Sequence, residues 1–230
     1  MELDTTSPLL HFAEDKLQIF ALSFKALVYI LKIRWILKFP AGKDRQAPGG
    51  SPDTSAQKGA IHSLFNIALP WEMASTRQHP FFYVQFVIFH IGVAASILMS
   101  LLIPYVPEWI AGRAAVVALQ SIFAAAFLVG LVRMARRLTD PYIRGISTPD
   151  DYFSLALLVV WLGFSFLAAP NDRQSGEWPL LAYFFLTAFF LVYVPFSKIS
   201  HYLFYPFARW YLGRTLGHRG VYPVKSGARA

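Results

Sequence analysis

Two histidines stand in stretches where titratable side chains are uncommon. His90 lies in the uncharged stretch FVIFHIGV, and His201 follows a long apolar stretch, in PFSKISHYLF. An ionisable side chain inside a bilayer is expensive and usually marks a functional site. An imidazole there can bind a metal ion, carry a proton or hydrogen-bond to a neighbouring helix. Each histidine taken alone leaves a packing role and a ligand role equally open.

The elements that must position these histidines are predicted to be membrane-spanning helices. Apolar residues make up 56% of the 230 residues, and charged residues only 15%. A helix needs about 20 apolar residues to cross a hydrocarbon core, and the alternating segments typical of a membrane barrel are absent. We therefore predict an all-α polytopic bundle of five transmembrane helices. The predicted spans are residues 17–37 (interrupted by Lys25, Lys32 and Arg34), 81–103, 114–132, 152–169 and Trp178 through at least Phe196.

The basic residues are unevenly distributed between the predicted loops. Fifteen of the 21 lysines and arginines fall in residues 38–80, in residues 133–151 and after residue 197. Cytoplasmic loops of membrane proteins carry such an excess of Lys and Arg. The pattern predicts a multi-pass protein of the inner (cytoplasmic) membrane, with the N-terminus outside and the C-terminus in the cytoplasm. It also accounts for the net charge of +8 without nucleic-acid binding.

Taken together, His90 and His201 predict a haem site. Imidazoles from two helices of a bundle are the usual ligands of a six-coordinate b-type haem, and this ligation favours electron transfer over oxygen chemistry. Lys198 or Arg209 would meet the haem propionates. The chain has no cysteine, so it cannot bind an iron–sulfur cluster through thiolates.

Small and aromatic residues near the two histidines fit such a group. Small side chains on the second span would let a flat macrocycle approach the helix, and aromatic rings after the fifth span would line it. The small residues are Gly92, Ala94, Ala95 and Ser96, and the aromatic ones are Phe196, Tyr202 and Phe204.

His79 is a rival ligand. It lies eleven residues before His90, close to three helical turns, so the two would share a helix face. Its position beside Pro80 also suits a helix cap, and depth along the spans leaves the choice between His79 and His90 open. His11 and His218 are predicted to be surface residues. His62 is the second residue of an amphipathic stretch, IHSLFNIALPWEM, that is predicted to lie on the inner membrane surface.

The chain is predicted to have three parts. Residues 1–80 would form the N-terminal helix and a cytoplasmic loop, residues 81–212 a four-helix haem-binding membrane domain, and residues 213–230 a basic cytoplasmic tail. Within the first part, residues 41–60 are rich in Gly, Pro and Ser, a composition typical of a flexible loop.

Three stretches resemble the gamma subunit family of respiratory nitrate reductase. PFSKISH is similar to the PFSRLVH-type motif of that family's last helix, and IFHIGV to its LFHIG motif on the second helix. STPDDYFSLALLVVWLGFSFLAAP is similar to its fourth helix, and the resemblance covers about residues 81–212. It implies five spans and two stacked b haems, each held by one His from helix two and one from helix five. Carried over, it implies His90 and His201 as ligands of the haem nearer the cytoplasm.

The resemblance fails at the outer haem. Ser100 and Tyr183 occupy the positions of the second ligand pair, and neither hydroxyl suits haem iron. We therefore expect one haem b, and a chain closer to the cytochrome b subunits of redox complexes of sulfate-reducing bacteria. Those subunits accompany iron–sulfur and multihaem cytochrome c subunits. The complex would also use menaquinone. Candidate hydrogen-bond partners for the quinone carbonyl are Ser100, Tyr183 and Gln120.

The implied function is electron transfer within a membrane-bound respiratory complex. Electrons would pass between the menaquinone pool or a neighbouring membrane subunit and a cytoplasmic iron–sulfur subunit. The chain would be an electron-transfer subunit of an oxidoreductase complex, with no catalytic centre of its own. The alternative is a haem-free membrane anchor that docks a cytoplasmic partner. A transporter is disfavoured because no carboxylate lies deep inside a predicted span.

Overall fold

The computed structural model describes residues 6–40, 42 and 44–223, and throughout these residues every regular element is helical. Short 3-10 and π turns join the α-helices. The α-helices are α1 Pro8–His11, α2 Leu17–Leu37, α3 Ala56–Phe65, α4 Ala74–Gln78, α5 Pro80–Tyr105, α6 Arg113–Thr139, α7 Pro141–Gly145, α8 Pro149–Ala168, α9 Trp178–Tyr193 and α10 His201–His218.

Four helical segments in the described part of the chain are long and apolar enough to cross a membrane. They are α5, α6, α8 and the segment Trp178–Phe196, which joins α9 to the 3-10 turn after it. The first predicted span also folds as a helix, α2, but its three basic residues keep it outside this set. The chain is therefore a polytopic helical membrane protein, as the composition predicts.

Local sequence signals explain where these helices begin and end. Pro80 and Pro149 stand at the first positions of α5 and α8, where a missing N–H costs nothing. Thr148 and Asp151 form a capping box at the start of α8. Pro195 lies in the 3-10 turn Val194–Phe196 that follows α9, and α10 begins as a separate helix at His201. The fifth predicted segment is thus divided after Phe196.

The described chain forms two compact units, each assembled from segments that are distant in sequence. The first comprises the residues up to Ile30 together with Val84–Ile199, and the second comprises Leu31–Tyr83 and the residues from Ser200 onward. This division differs from the three consecutive parts predicted from the sequence. The reason is that α3 packs on α10, which lies about 150 residues later in the chain.

The core of the first unit is built from large side chains. Phe123 of α6, Leu162 of α8 and Phe184 of α9 are fully buried in one cluster. The N-terminal segment packs on α9 through polar contacts: the Gln18 side-chain amide donates to the carbonyl oxygens of Ala13 and Phe184 at 2.9 and 2.8 Å. This segment is further held by the buried Glu14, which accepts hydrogen bonds from both terminal nitrogens of Arg173.

The second unit is built around close contact between α3 and α10. Gly59 faces Gly213 and Gly217, and a Cβ atom at Gly59 would overlap the Gly213 carbonyl oxygen. Tyr205 Oη donates to the Leu64 carbonyl oxygen at 3.2 Å. Small residues four positions apart allow helix backbones to approach in this way.

Residues before α3 are also bound to the end of α10. The backbone N–H groups of Gly50 and Ser51 donate to the carbonyl oxygens of Arg219 and Gly220 at 3.0 and 2.9 Å. The prediction of a flexible loop over 41–60 is therefore wrong for residues 56–60, which are helical, and for residues 50 and 51. The Gly- and Ser-rich composition serves close packing here; residues 41 and 43 lie outside the described residues.

Candidate functional site

His90 lies on an exposed face of α5, in the first unit. Its Nδ1 is 2.8 Å from the backbone carbonyl oxygen of Phe86, one turn earlier. A carbonyl oxygen can only accept a hydrogen bond, so Nδ1 carries the proton. The lone pair of the neutral ring is therefore on Nε2. A metal-binding histidine is commonly held in this way, with one ring N–H donated to a backbone carbonyl.

Two aromatic rings of the same helix lie beside the His90 imidazole. The Phe86 ring lies 4.1 Å from it, centroid to centroid, and the Phe89 ring lies 6.3 Å away at 78°. Phe89 is buried, and the Arg133 guanidinium carbon lies 5.5 Å from its ring centroid. These contacts, together with the Phe86 carbonyl, give the imidazole a defined orientation on the helix surface.

The small residues predicted to admit a macrocycle do not all share the face of His90. Gly92 is buried against Ala126 of α6, and the Ser96 hydroxyl is 2.5 Å from that of Ser165 on α8. The expectation is wrong for these two residues, because positions two and six residues after His90 point to other sides of the helix. Ala94, one turn after His90, is exposed on the same side as the histidine.

His201 is the first residue of α10 and belongs to the second unit. Its side chain is exposed, and its ring centroid lies 6.4 Å from that of Tyr202 at 78°. The separate start of α10 after two 3-10 turns sets the position of this histidine. The pairing of His90 with His201 on one iron stays a prediction.

The two cations predicted to meet haem propionates both have protein acceptors. Lys198 Nζ is 2.7 Å from Asp151 Oδ2, and the Lys198 backbone N–H donates to Asp150 at 2.9 Å. Arg209 Nε donates to the Ser63 carbonyl oxygen at 3.0 Å, and its Nη2 donates to Asn66 at 2.9 Å. Lys198 ties the segment after α9 to the start of α8, and Arg209 ties α10 to α3. Their contact with propionates stays a prediction.

The remaining aromatic and histidine candidates have local roles. Phe196 is 65% exposed and its ring is 6.2 Å from that of Phe24 in the first unit. In the second unit, Lys32 Nζ lies 5.9 Å from the Phe204 ring. His79 is the C-cap residue after α4, directly before Pro80, and its ring lies 5.7 Å from that of Phe82. His62 lies 3.5 Å from Glu72.

The positions that correspond to a second ligand pair are part of the core of the first unit. Tyr183 is fully buried and its hydroxyl donates to the Ser96 carbonyl oxygen at 2.5 Å. Its ring stacks on Trp161, at 6.4 Å and 4°. Ser100 donates to the Ile97 carbonyl oxygen at 2.7 Å within its own helix. Gln120, the third candidate quinone contact, donates to the Phe166 carbonyl oxygen at 3.3 Å.

Sequence analysis missed a set of buried polar contacts between the membrane helices. Trp161 Nε1 of α8 donates to Thr187 Oγ1 of α9 at 2.8 Å, and the hydroxyls of Ser96 on α5 and Ser165 on α8 lie 2.5 Å apart. Single Ser and Thr residues inside apolar spans are the available signal for such contacts. Among the described residues, no group of three or more His, Cys, Asp or Glu side chains is arranged to hold a metal ion.

One relative of this chain is a protein of Nitratidesulfovibrio vulgaris (strain Hildenborough). The two are 29% identical over an alignment of 202 residues, and the match covers 82% of this chain and 82% of the relative. No family model matches the chain. No solved structure matches it. The similarity to the relative extends over most of both chains.

Proposed function

We propose that this chain is the b-type cytochrome subunit of a membrane-bound respiratory redox complex. It would hold one haem b through His90 and His201 and pass electrons between the menaquinone pool, or a neighbouring membrane subunit, and a cytoplasmic iron–sulfur subunit. Its location would be the inner membrane, with the N-terminus outside. The bound haem would supply a one-electron redox centre; the chain's residues bind, orient and shield it.

The observation that carries this proposal is the hydrogen bond between His90 Nδ1 and the Phe86 carbonyl oxygen. It fixes the tautomer in which Nε2 has the lone pair that iron requires. The histidine lies in a helix that is apolar enough to cross a membrane, where an imidazole without a function is disfavoured. The role of His201 as the second ligand rests on the resemblance of PFSKISH to a haem-binding motif.

The expectation of one haem has a separate support in the first unit. Tyr183 and Trp161 fill the interior near Ser96 with stacked rings and hydrogen bonds. A side chain as large as Tyr183, with no exposed surface, occupies space that a second macrocycle would require. Protein interiors have little empty volume to offer instead.

The test is a reduced-minus-oxidised visible spectrum of the purified chain, with haem measured per mole of protein. We expect a b-type α-band and one haem per chain. His90→Ala and His201→Ala should each abolish the band, because a six-coordinate site needs both imidazoles. His218→Ala is the matched control: this exposed histidine at the end of α10 should leave the spectrum unchanged.

A haem-free membrane anchor is the second candidate function. The engagement of Lys198 and Arg209 by protein acceptors favours it, since neither cation needs a propionate. An anchor predicts a colourless protein, and complexes that still assemble after both histidine substitutions. A b-type band that survives in both His90→Ala and His201→Ala would contradict the haem assignment itself.

A further inference from the structure

A cavity of about 1180 Å³ opens in the second unit, between the end of α2, α3 and one face of α10. Its lining is mainly apolar and includes Ile36, Leu37, Leu64, Phe207 and Trp210. Leu37 and Trp210 are 68% and 42% exposed. A cavity of this size and character suits a ligand with long apolar chains.

The lining changes from apolar to cationic along α10. Phe207, Trp210, Arg214 and His218 lie three or four residues apart and line the same cavity, so they share one helix face. Arg214 is about 10 Å beyond Phe207 along the helix, at 1.5 Å per residue. Arg214 is exposed and makes no hydrogen bond or ion pair with the described residues.

The acidic residue at the cationic end is already neutralised. Asp44 lines the cavity, and its carboxylate accepts hydrogen bonds from Arg219 at 2.8 and 3.3 Å. The Arg214 charge therefore remains uncompensated at this end. A phosphate is the anion that a guanidinium binds best, through two parallel hydrogen bonds.

Along the chain, the two stretches of this unit are separated by four candidate membrane-crossing segments. Four membrane-crossing segments separate the start of α5 from Phe196, so both ends lie on the same side of the bilayer. Residue 201, where α10 starts, follows Phe196 by five positions. On α10, the apolar residues Phe207 and Trp210 precede Arg214, in the order of the acyl chains and phosphate of a lipid.

We propose that this cavity binds one anionic phospholipid, with its acyl chains against Leu37 and Trp210 and its phosphate at Arg214. The site would anchor α10 at the membrane surface through a lipid of defined charge, as basic pockets between helices do. This inference is independent of the haem proposal, because none of the residues it uses is a proposed haem ligand.

The experiment is native mass spectrometry of the full chain after removal of lipid in a neutral detergent. Dioleoyl phosphatidylglycerol, dioleoyl phosphatidylcholine and soluble glycerol phosphate are added separately. We expect one phosphatidylglycerol per chain, and at least tenfold weaker binding of the other two. Arg214→Gln should weaken phosphatidylglycerol binding about tenfold, the loss of a charged hydrogen-bond pair.

Three further variants keep the test decisive. Arg144→Gln makes the same charge change at an exposed arginine of the first unit and should leave binding unchanged. Arg214→Lys keeps the charge without the bidentate geometry and should cause an intermediate loss, which covers the case in which Arg214→Gln does not fold. Leu37→Gln should weaken binding through the acyl chains.

Equal binding of phosphatidylcholine and phosphatidylglycerol would overturn the proposal. An equal loss of phosphatidylglycerol binding in Arg144→Gln would also overturn it, because the loss would then follow from the overall charge of the chain and not from a site at Arg214. Glycerol phosphate bound as tightly as the lipid would show an anion site without a lipid. None of these results bears on the haem proposal, which the spectra of the His90 and His201 variants test separately.

Discussion

In the first unit the helices pack through side chains, whereas in the second unit the closest approach of α3 to α10 is between backbone atoms. Trp161, Tyr183 and Phe184 fill the interior of the first unit with aromatic rings. Hydrogen bonds between side chains, such as that from Trp161 to Thr187, cross from one helix to the next. Each of these contacts belongs to a side chain that could change its rotamer.

The second unit has little such freedom. Gly59, Gly213 and Gly217 bring α3 and α10 so close that the nearest atoms around each glycine are mostly main-chain atoms. Main-chain atoms in a helix have no rotamer to change, so they make room only when the whole helix shifts or its hydrogen bonds break. The comparison therefore predicts that the second unit is the less tolerant of added volume, and that only clashes in the first unit can be rescued by a second substitution.

The largest effect is expected for Gly213→Ala. The added Cβ would overlap the Gly59 carbonyl oxygen and crowd the Ala60 Cα. We expect a loss of about 3 kcal/mol, at the upper end of the cost of overpacking. Amide hydrogen exchange across α3 should report faster exchange, and thermal unfolding in detergent should shift to lower temperature.

Gly49→Ala is the control for that change in the same unit. A Cβ at Gly49 meets no atom within 4 Å, so stability should be unchanged. If Gly213→Ala were as stable as Gly49→Ala, the close approach of α3 and α10 would be contradicted. Ser63→Gly combined with Gly213→Ala should give little rescue, since the Gly59 carbonyl oxygen remains.

Gly92→Ala makes the matching change in the first unit. Its added Cβ would overlap the Ala126 Cβ, a side-chain atom. We expect a loss of about 1–2 kcal/mol, because the overpacking cost is offset in part by the better helix propensity of Ala. The measurement is the free energy of unfolding in mixed SDS micelles.

A double-mutant cycle sharpens this result. Ala126→Gly removes the methyl group that Gly92→Ala would meet, so the pair should be more stable than the sum of the single changes predicts. Additive losses would show that the clash is not with Ala126. The contrast with Gly213, where the nearest atom is the Gly59 carbonyl oxygen and not a side-chain atom, is the comparison in its simplest form.

The sequence predicts the membrane helices well because their signals are local. Apolar length, the proline at the start of α5 and the capping box of α8 depend on neighbouring residues alone. The pairing of α3 with α10 depends on residues about 150 positions apart. Its only trace is the four-residue spacing of Gly59 with Ser63 and of Gly213 with Gly217, which many unpaired helices also have.

The candidate site can be predicted from the sequence only where signals within one helix determine it. The position of His90 in a span and the bond to the Phe86 carbonyl follow from one helix. The use of Gly92 and Ser96 for helix packing does not, because it depends on which faces of α5 meet α6 and α8. The acceptors of Lys198 and Arg209 likewise come from distant segments.

A smaller effect is expected for Tyr183→Phe in the first unit. The change removes the hydroxyl that donates to the Ser96 carbonyl oxygen and keeps the ring stacked on Trp161. We expect a loss of about 1 kcal/mol, the net value of one hydrogen bond. Tyr142→Phe is the control, since Tyr142 is 85% exposed and should cost nothing measurable.

The smallest effect is a pH dependence confined to the second unit. The hydrogen bond from Arg219, with that from the Gln46 backbone N–H, holds the pKa of Asp44 below its ordinary value of 3.8. A carboxyl group whose pKa is lowered by folding stabilises the fold above its ordinary pKa, and that contribution is lost as the pH falls through the folded value. Hydrogen exchange at Gly50 and Ser51, whose N–H groups bond to Arg219 and Gly220, should therefore lose protection below about pH 4.

Asp44→Asn should show weaker protection of these two amides at neutral pH and a shallower loss on acidification. Parallel pH profiles in the two proteins would show that this ion pair, exposed at its Arg219 side, contributes nothing to the unit.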